Sequence, residues 1–257
     1  MEEVQGVLSL ALRSMHQDMS RMDRVAMNLA NALTPGYKRE VVVARPFGQV
    51  VNDLVSVGTV NGNTAQMKVH ADFRPGSLKS TGQSLDFAIA GAGHFEVLTE
   101  NGPAYTRQGN FRVDAQGRLT TMQGYPVMGQ GGEIYLNNST PTVDASGRVQ
   151  DGLRQGPVTA ALSTASTASQ LKVVRFDQPQ SLQRMGDGLL VGGGSATVMS
   201  DADVQIRQGF LENSNVSSMQ EMVQMTQTMR HFESMHKVAM GYDEMMGLAI
   251  RKLGELS

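Results

Sequence analysis

The stretch Met222-Val223-Gln224-Met225-Thr226-Gln227-Thr228-Met229-Arg230-His231-Phe232 decides how the chain folds. Its apolar residues fall at Met222, Met225, Met229 and Phe232, and the same alternating steps of three and four continue through His236, Ala239, Asp243, Met246, Ile250 and Leu253. Residues spaced this way share one face of an α-helix, and strict alternation describes a heptad seam. A second stripe, Met235, Val238, Tyr242, Met245 and Ala249, lies on another face. A helix with two apolar faces needs more than one neighbour.

The N-terminus carries a matching pattern. Val4, Leu8, Ala11, Met15, Met19, Met22, Ala26, Leu29 and Leu33 recur at a mean spacing of about 3.6, which predicts one amphipathic helix. It ends at Thr34-Pro35-Gly36, because Pro35 cannot continue a helix and pushes Thr34 towards extended geometry. At 1.5 Å per residue each helix is about 50 Å long. Five of the 18 Met lie in the first 33 residues and eight in the last 39, whereas 22 of the 28 Gly fall between Tyr37 and Gln208. Helix-forming ends therefore flank a centre built for turns.

That centre reads as β. Asp86-Phe87-Ala88-Ile89-Ala90, His94-Phe95-Glu96-Val97-Leu98, Leu171 to Phe176 and Gly188 to Val191 are strand candidates. Val113-Asp114-Ala115-Gln116-Gly117-Arg118-Leu119 returns 30 residues later as Val143-Asp144-Ala145-Ser146-Gly147-Arg148-Val149. In both copies an Asp opens a turn and the Gly three residues on can take positive φ, the chemistry of a short hairpin loop. The expected fold is α+β: long N- and C-terminal helices pairing as a coiled-coil-like module, with a central all-β domain of hairpin, meander or barrel-like form. The expected boundaries are 1-36, 37-208 and 209-257.

Composition excludes several functions. With no Cys there is no disulfide framework, Cys-based zinc site or thiol nucleophile. Lys plus Arg total 22 against 24 Asp plus Glu, so no basic excess draws the chain to nucleic acid. No apolar run is long enough for a transmembrane segment. Gln5, Gly6, Ser9 and Arg13 interrupt the N-terminal apolar residues, so no cleaved signal peptide is expected. His231 and His236 are five apart and do not share a helix face as metal ligands would. Gly129-Gln130-Gly131-Gly132 and Gly192-Gly193-Gly194 lack the Lys-Ser/Thr of a phosphate loop. No catalytic residue, metal site or cofactor is expected, and the chain does not read as an enzyme.

Three segments resemble the rod and hook family of flagellar axial proteins. Asn28-Leu29-Ala30-Asn31-Ala32-Leu33-Thr34-Pro35-Gly36-Tyr37-Lys38-Arg39 is similar to the family's N-N-L-A-N-x-x-T-x-G-[FY]-[KR], with Met27 replacing the first Asn. Gln208-Gly209-Phe210-Leu211-Glu212-Asn213-Ser214-Asn215-Val216, followed by Glu221-Met222-Val223, resembles its C-terminal segment. Centrally, Leu85-Asp86-Phe87-Ala88-Ile89, Tyr105-Thr106-Arg107-Gln108-Gly109-Asn110-Phe111 and Gly124-Tyr125-Pro126-Val127 match, while Gly91-Ala92-Gly93-His94-Phe95 departs from the commoner Gly-x-Gly-Phe-Phe.

The resemblance implies a structural rod subunit of the flagellar basal body. Such a subunit is exported through the flagellar type III apparatus and polymerised helically, in the periplasm, with itself and other rod subunits. The length leaves no room for the further β domain of hook proteins. The Glu40 to Asn61 stretch is short for the extra segment of the distal-rod branch, so the proximal-rod branch is favoured, with the distal as alternative. The expected assembly interface is Leu8, Met15, Met19, Met22, Asn28, Leu29, Asn31, Leu33, Asn215, Met222, Met225, Met229, Phe232, Met246, Ile250 and Leu253. Asn28 and Asn31 stand inside a helix, where either local hydrogen bonding or a contact to a neighbouring chain suits them. Asn215 reads as the N-cap of the last helix or its neighbour. Two other readings stay open: a soluble adaptor gripping a partner helix with its Met-rich helices, and a carbohydrate-binding or hydrolytic β domain, which the scarcity of aromatics opposes.

Overall fold

In the computed structural model, which describes residues 2–43, 68–136, 140–150, 169–192 and 194–254, the periodicity of the termini becomes two helices. Helix α1 spans Glu2–Ala30 and α2 spans Ser218–Gly254. At the end of α1 the amides of Asn31 and Ala32 tighten the last turn by donating to the carbonyls of Asn28 and Leu29. Pro35 then blocks continuation, and Gly36 takes φ +67°. Glu221 in the first turn of α2, and Arg251 and Lys252 in its last, complement the helix dipole.

The chain divides into two compact units. The first holds Met1–Ala32, Glu40–His70 and Val216–Ser257. Within it α1 and α2 pack on each other, and the strand β1 (Glu40–Val43) lies against α1. Beyond Val43, the Glu40 to Asn61 stretch lies outside the described residues.

The architecture is α+β and the two helices pack on each other, but the seam expected of a coiled-coil-like module does not hold at several of its positions. Buried positions on α1 are Ala11, Asp18, Val25 and Asn28, and on α2 Glu221 and Thr228, whereas Met19, Met222 and Met229 are exposed. Buried Asp18, Asn28, Glu221 and Thr228 share the helical unit with buried Ala11 and Val25 and with half-buried apolar residues, where an apolar seam of knobs and holes was expected. Asp18, Glu221 and Thr228 take buried places beside Met19, Met222 and Met229, which are exposed, while Met15, Met22, Met225 and Phe232 stay half-buried.

The second unit holds Leu33–Arg39 and Ala71–Asn215. Its centre is an antiparallel sheet of six strands. β5 (His94–Thr99) and β6 (Gly102–Thr106) form a hairpin in register from Phe95 opposite Thr106 to Thr99 opposite Gly102. On the β5 side lie β13 (Val173–Phe176) and β16 (Ala196–Val198); on the β6 side lie β15 (Leu189–Gly192) and β14 (Leu182–Gly186). Among the described residues the sheet runs from β14 at one edge to β16 at the other.

Paired short strands surround this sheet. β7 (Arg112–Val113) pairs with β8 (Leu119–Thr120), β9 (Met128–Gly129) with β10 (Gly132–Glu133), and β11 (Thr142–Val143) with β12 (Val149–Gln150). β4 (Phe87–Ile89) pairs with β17 (Ile206–Gln208), and β3 (Leu78–Ser80) with β18 (Phe210–Glu212). Phe87, Phe95, Leu119, Ile134, Leu171 and Ile206 are among the core residues that these elements enclose.

The repeated motif folds the same way twice. The Asp114 carboxylate accepts from the amides of Gln116 and Arg118, and that of Asp144 from Ser146 and Arg148. Gly117 and Gly147 take φ +83° and +85° to close the two turns.

Candidate functional site

Within the second unit, all three segments that carry the family resemblance meet around Glu212. Gly36 opens the first: its amide donates to the Glu212 carbonyl at 2.7 Å. A Cβ at Gly36 would stand 2.5 Å from the backbone carbon of Arg107, so only glycine allows this approach. Tyr37 is buried, with the Arg184 guanidinium 4.2 Å from its ring centroid. Lys38 Nζ donates to Glu212 Oε1 at 2.5 Å and to the Arg74 carbonyl at 2.9 Å. From the central segment, Arg107 Nη1 reaches Glu212 Oε2 at 3.3 Å, and Nη2 donates to the Gly91 carbonyl at 2.6 Å. The Gly76 amide donates to Glu212 Oε1.

Lys38, Arg107 and Glu212 are all buried. Burying ions costs several kcal/mol each unless they are paired and hydrogen-bonded. Here one carboxylate serves two cations. Burial pulls the Lys38 ammonium and the Arg107 guanidinium below their usual ranges, with Glu212 opposing in each case. Asn215 adds a second clasp: its carboxamide oxygen accepts from the Arg39 amide, and its nitrogen donates to the carbonyls of Asp72 and Arg74. The side chain expected to cap the last helix instead ties together chain segments far apart in sequence.

His94 occupies the position where the family's pattern more often has Phe. Its ring sits edge-on to Phe73 and Phe176 at 5.9 and 5.8 Å, as a third aromatic would. Neither ring nitrogen has a hydrogen-bond partner among the described residues. Burial, with the charges of Arg107 and Lys38 adding, lowers its pKa to about 3, so the imidazole is neutral at pH 7.

In the helical unit the buried polar contacts are equally specific. Asn28 Nδ2 donates to the Glu40 carbonyl while its Oδ1 accepts from the Glu40 amide, both at 2.9 Å. This two-point clasp fixes β1 to α1. The same Nδ2 reaches Glu221 Oε2 on α2 at 3.2 Å, and Arg24 pairs with Glu40 at 3.1 Å. Asp18 on α1 meets His231 Nδ1 on α2 at 2.5 Å.

The expected interface residues are placed as follows. Met15, Met22, Leu29, Met225 and Phe232 are half-buried, whereas Met19, Met222, Met229 and Met246 are exposed. Leu33 is 95% exposed, in the segment that belongs to the β unit. Asn28 is turned inward, and Asn31 donates to the Met27 carbonyl one turn back. The side chains of Leu8, Ile250 and Leu253 lie outside the described residues. Further apolar side chains stand in solvent on both helices, including Leu10, Leu12, Met219, Met240, Met245 and Leu248. Lys38, Arg107 and Glu212 each stand in one of the three resembling segments, and charged residues set among Gly and aromatics are the sequence signal of their cluster.

Among the described residues no group of three or more His, Asp or Glu could hold a metal ion, and no helix is long and apolar enough to cross a membrane.

Two family models match the chain. Residues 88–151 match the flagellar hook protein FlgE/F/G D1 domain, and residues 207–251 match the flagellar basal body rod FlgEFG protein C-terminal region. The class is that of flagellar axial subunits. More particularly, the chain belongs to the flagellar basal-body rod protein family. It is 33% identical over 247 residues to flagellar basal-body rod protein FlgF of Salmonella typhimurium, covering 93% of this chain and 94% of the relative. It is 31% identical over 253 residues to FlgF of Rhizobium meliloti, covering 98% and 99%. It is also similar to the rod protein FlgG of Bacillus subtilis, at 28% over 271 residues, covering 91% and 97%.

Proposed function

We propose that this chain is a FlgF-like structural subunit of the proximal rod, polymerising helically in the torque-transmitting shaft of the basal body. Similarity to FlgF proteins along nearly their full length carries this reading. The exposed apolar side chains of α1 and α2 support it physically, since a monomer gains nothing by leaving so many in water. A heterologous contact that does not close on itself builds a filament.

In this reading the segments 1-36 and 209-257 supply the assembly surface, through Met19, Met222, Met229 and Met246 and the other residues of the expected set. The region 37-208 is the structural β body. The subunit has no catalytic role, reaches the periplasm through the flagellar type III export apparatus, and meets other rod subunits there. A distal-rod, FlgG-like subunit is the second reading, favoured by the FlgG relatives.

Because the chain has no Cys, Met229→Cys introduces a unique thiol. In isolated basal bodies a maleimide carrying a photoreactive group, attached to that thiol and irradiated, joins the subunit to a neighbour, whereas Arg148→Cys on the β unit serves as the comparison. Recovery of the Met229→Cys subunit only as monomer from intact basal bodies rejects the assembly surface. Rescue of motility in a strain lacking FlgG, but not in one lacking FlgF, selects the distal reading.

A further inference from the structure

The last part of the β unit in sequence, residues 204–215, touches nearly every earlier part of it. Val204 and Ile206 enter the core, and the Ile206 amide donates to the Ala145 carbonyl. β17 is the sheet partner of β4 and β18 that of β3. The Gln208 carboxamide ties two separate segments together: Nε2 donates to the carbonyls of Ser84 and Pro141 at 2.7 and 2.6 Å, and Oε1 accepts from the Val143 amide at 3.0 Å. The Gly209 carbonyl accepts from Thr81 and Gly82, and the Asn213 amide donates to Ser77. Glu212 answers the buried Lys38 and Arg107, and Asn215 gathers Arg39, Asp72 and Arg74.

We propose that residues 204–215 are the keystone of the β unit, so that its native packing closes only when this late segment inserts. Without the segment, β3 and β4 lose their sheet partners, and two cations destined for the interior have no carboxylate to meet. Each absence alone opposes closure, and the segment removes all of them in one step. The chain therefore remains open while its first 200 or so residues are present and shuts when the C-terminal strands arrive. The conclusion concerns the β unit alone and holds whatever the subunit assembles into.

Pulse-labelled amide exchange during refolding of the full-length chain tests it. The β5–β6 hairpin and β13 acquire native protection in the same kinetic phase as Ile206 to Glu212. Glu212→Gln slows that phase by about tenfold or more, and so does Gln208→Ala, which leaves the charges intact. Asp201→Asn, which removes the exposed Arg148–Asp201 pair, leaves it unchanged. Native protection of β5, β6 and β13 well ahead of residues 206 to 212 overturns the keystone. So does an unaltered folding rate in Gln208→Ala, even where Glu212→Gln fails to fold.

Discussion

Lys38 and Glu212 lie 174 positions apart in the chain and meet at 2.5 Å in the interior of the β unit. The pair joins the segment that follows the first helix to the strand that precedes the second. Arg107 completes the cluster from the middle of the sequence.

Removing the shared carboxylate leaves both cations buried without compensation. Glu212→Ala destabilises the β unit by about 3–5 kcal/mol. Urea unfolding followed by a probe confined to that unit measures the loss. A change below about 1 kcal/mol contradicts the cluster's structural weight.

The neutral state of His94 makes stability depend on pH. Its pKa is about 3 in the folded chain and near the ordinary 6.5 when unfolded. Between those values the unfolded chain binds the extra proton. Stability therefore rises with pH across that window, is complete above it, and falls as acid is added, by at most about 1.4 kcal/mol per pH unit from this residue. His94→Phe fills the aromatic site without a titrating group and flattens the slope. Parallel urea titrations at several pH values, wild type against variant, isolate the difference from the contribution of carboxylates.

Two glycines of similar dihedral separate strain from collision. Gly36 and Gly82 take φ +67° and +70°, yet a Cβ at Gly82 meets nothing within 4 Å. Gly82→Ala costs about 1 kcal/mol from left-handed strain alone. Gly36→Ala adds a clash with the Arg107–Gln108 backbone and costs well over about 2 kcal/mol. Equal melting temperatures for the two variants dispose of the close approach.

In the helical unit, Asn28→Ala removes the clasp on Glu40 and weakens the α1–β1 contact by about 1–3 kcal/mol. Faster exchange of the Glu40 amide in the variant is the direct readout. Unchanged protection there assigns the stability of β1 to other contacts.

Much of this was legible in the sequence, for identifiable reasons. Apolar spacing marked both helices, Pro35 and Gly36 placed the end of the first a few residues beyond Ala30, where it falls, and the twin Asp-x-x-Gly runs specified two turns whose bonds are local. Helix periodicity and turn chemistry act over a few residues, so a linear reading captures them. The expected seam misplaced several positions because apolar spacing cannot reveal that Asp18, Asn28, Glu221 and Thr228 take buried places.

By itself, then, the order of amino acids marked both helices, four strand segments and the twin Asp-x-x-Gly turns, and the family to which the chain is akin. Only the tertiary structure decided that Gly36, Lys38, Arg107 and Glu212 share one interior, that Asn215 clasps separate segments, and that His94 serves as an uncharged aromatic. The physical reason is one of range. Periodicity is written between neighbours, whereas the balance of buried charge depends on which distant groups lose their water together.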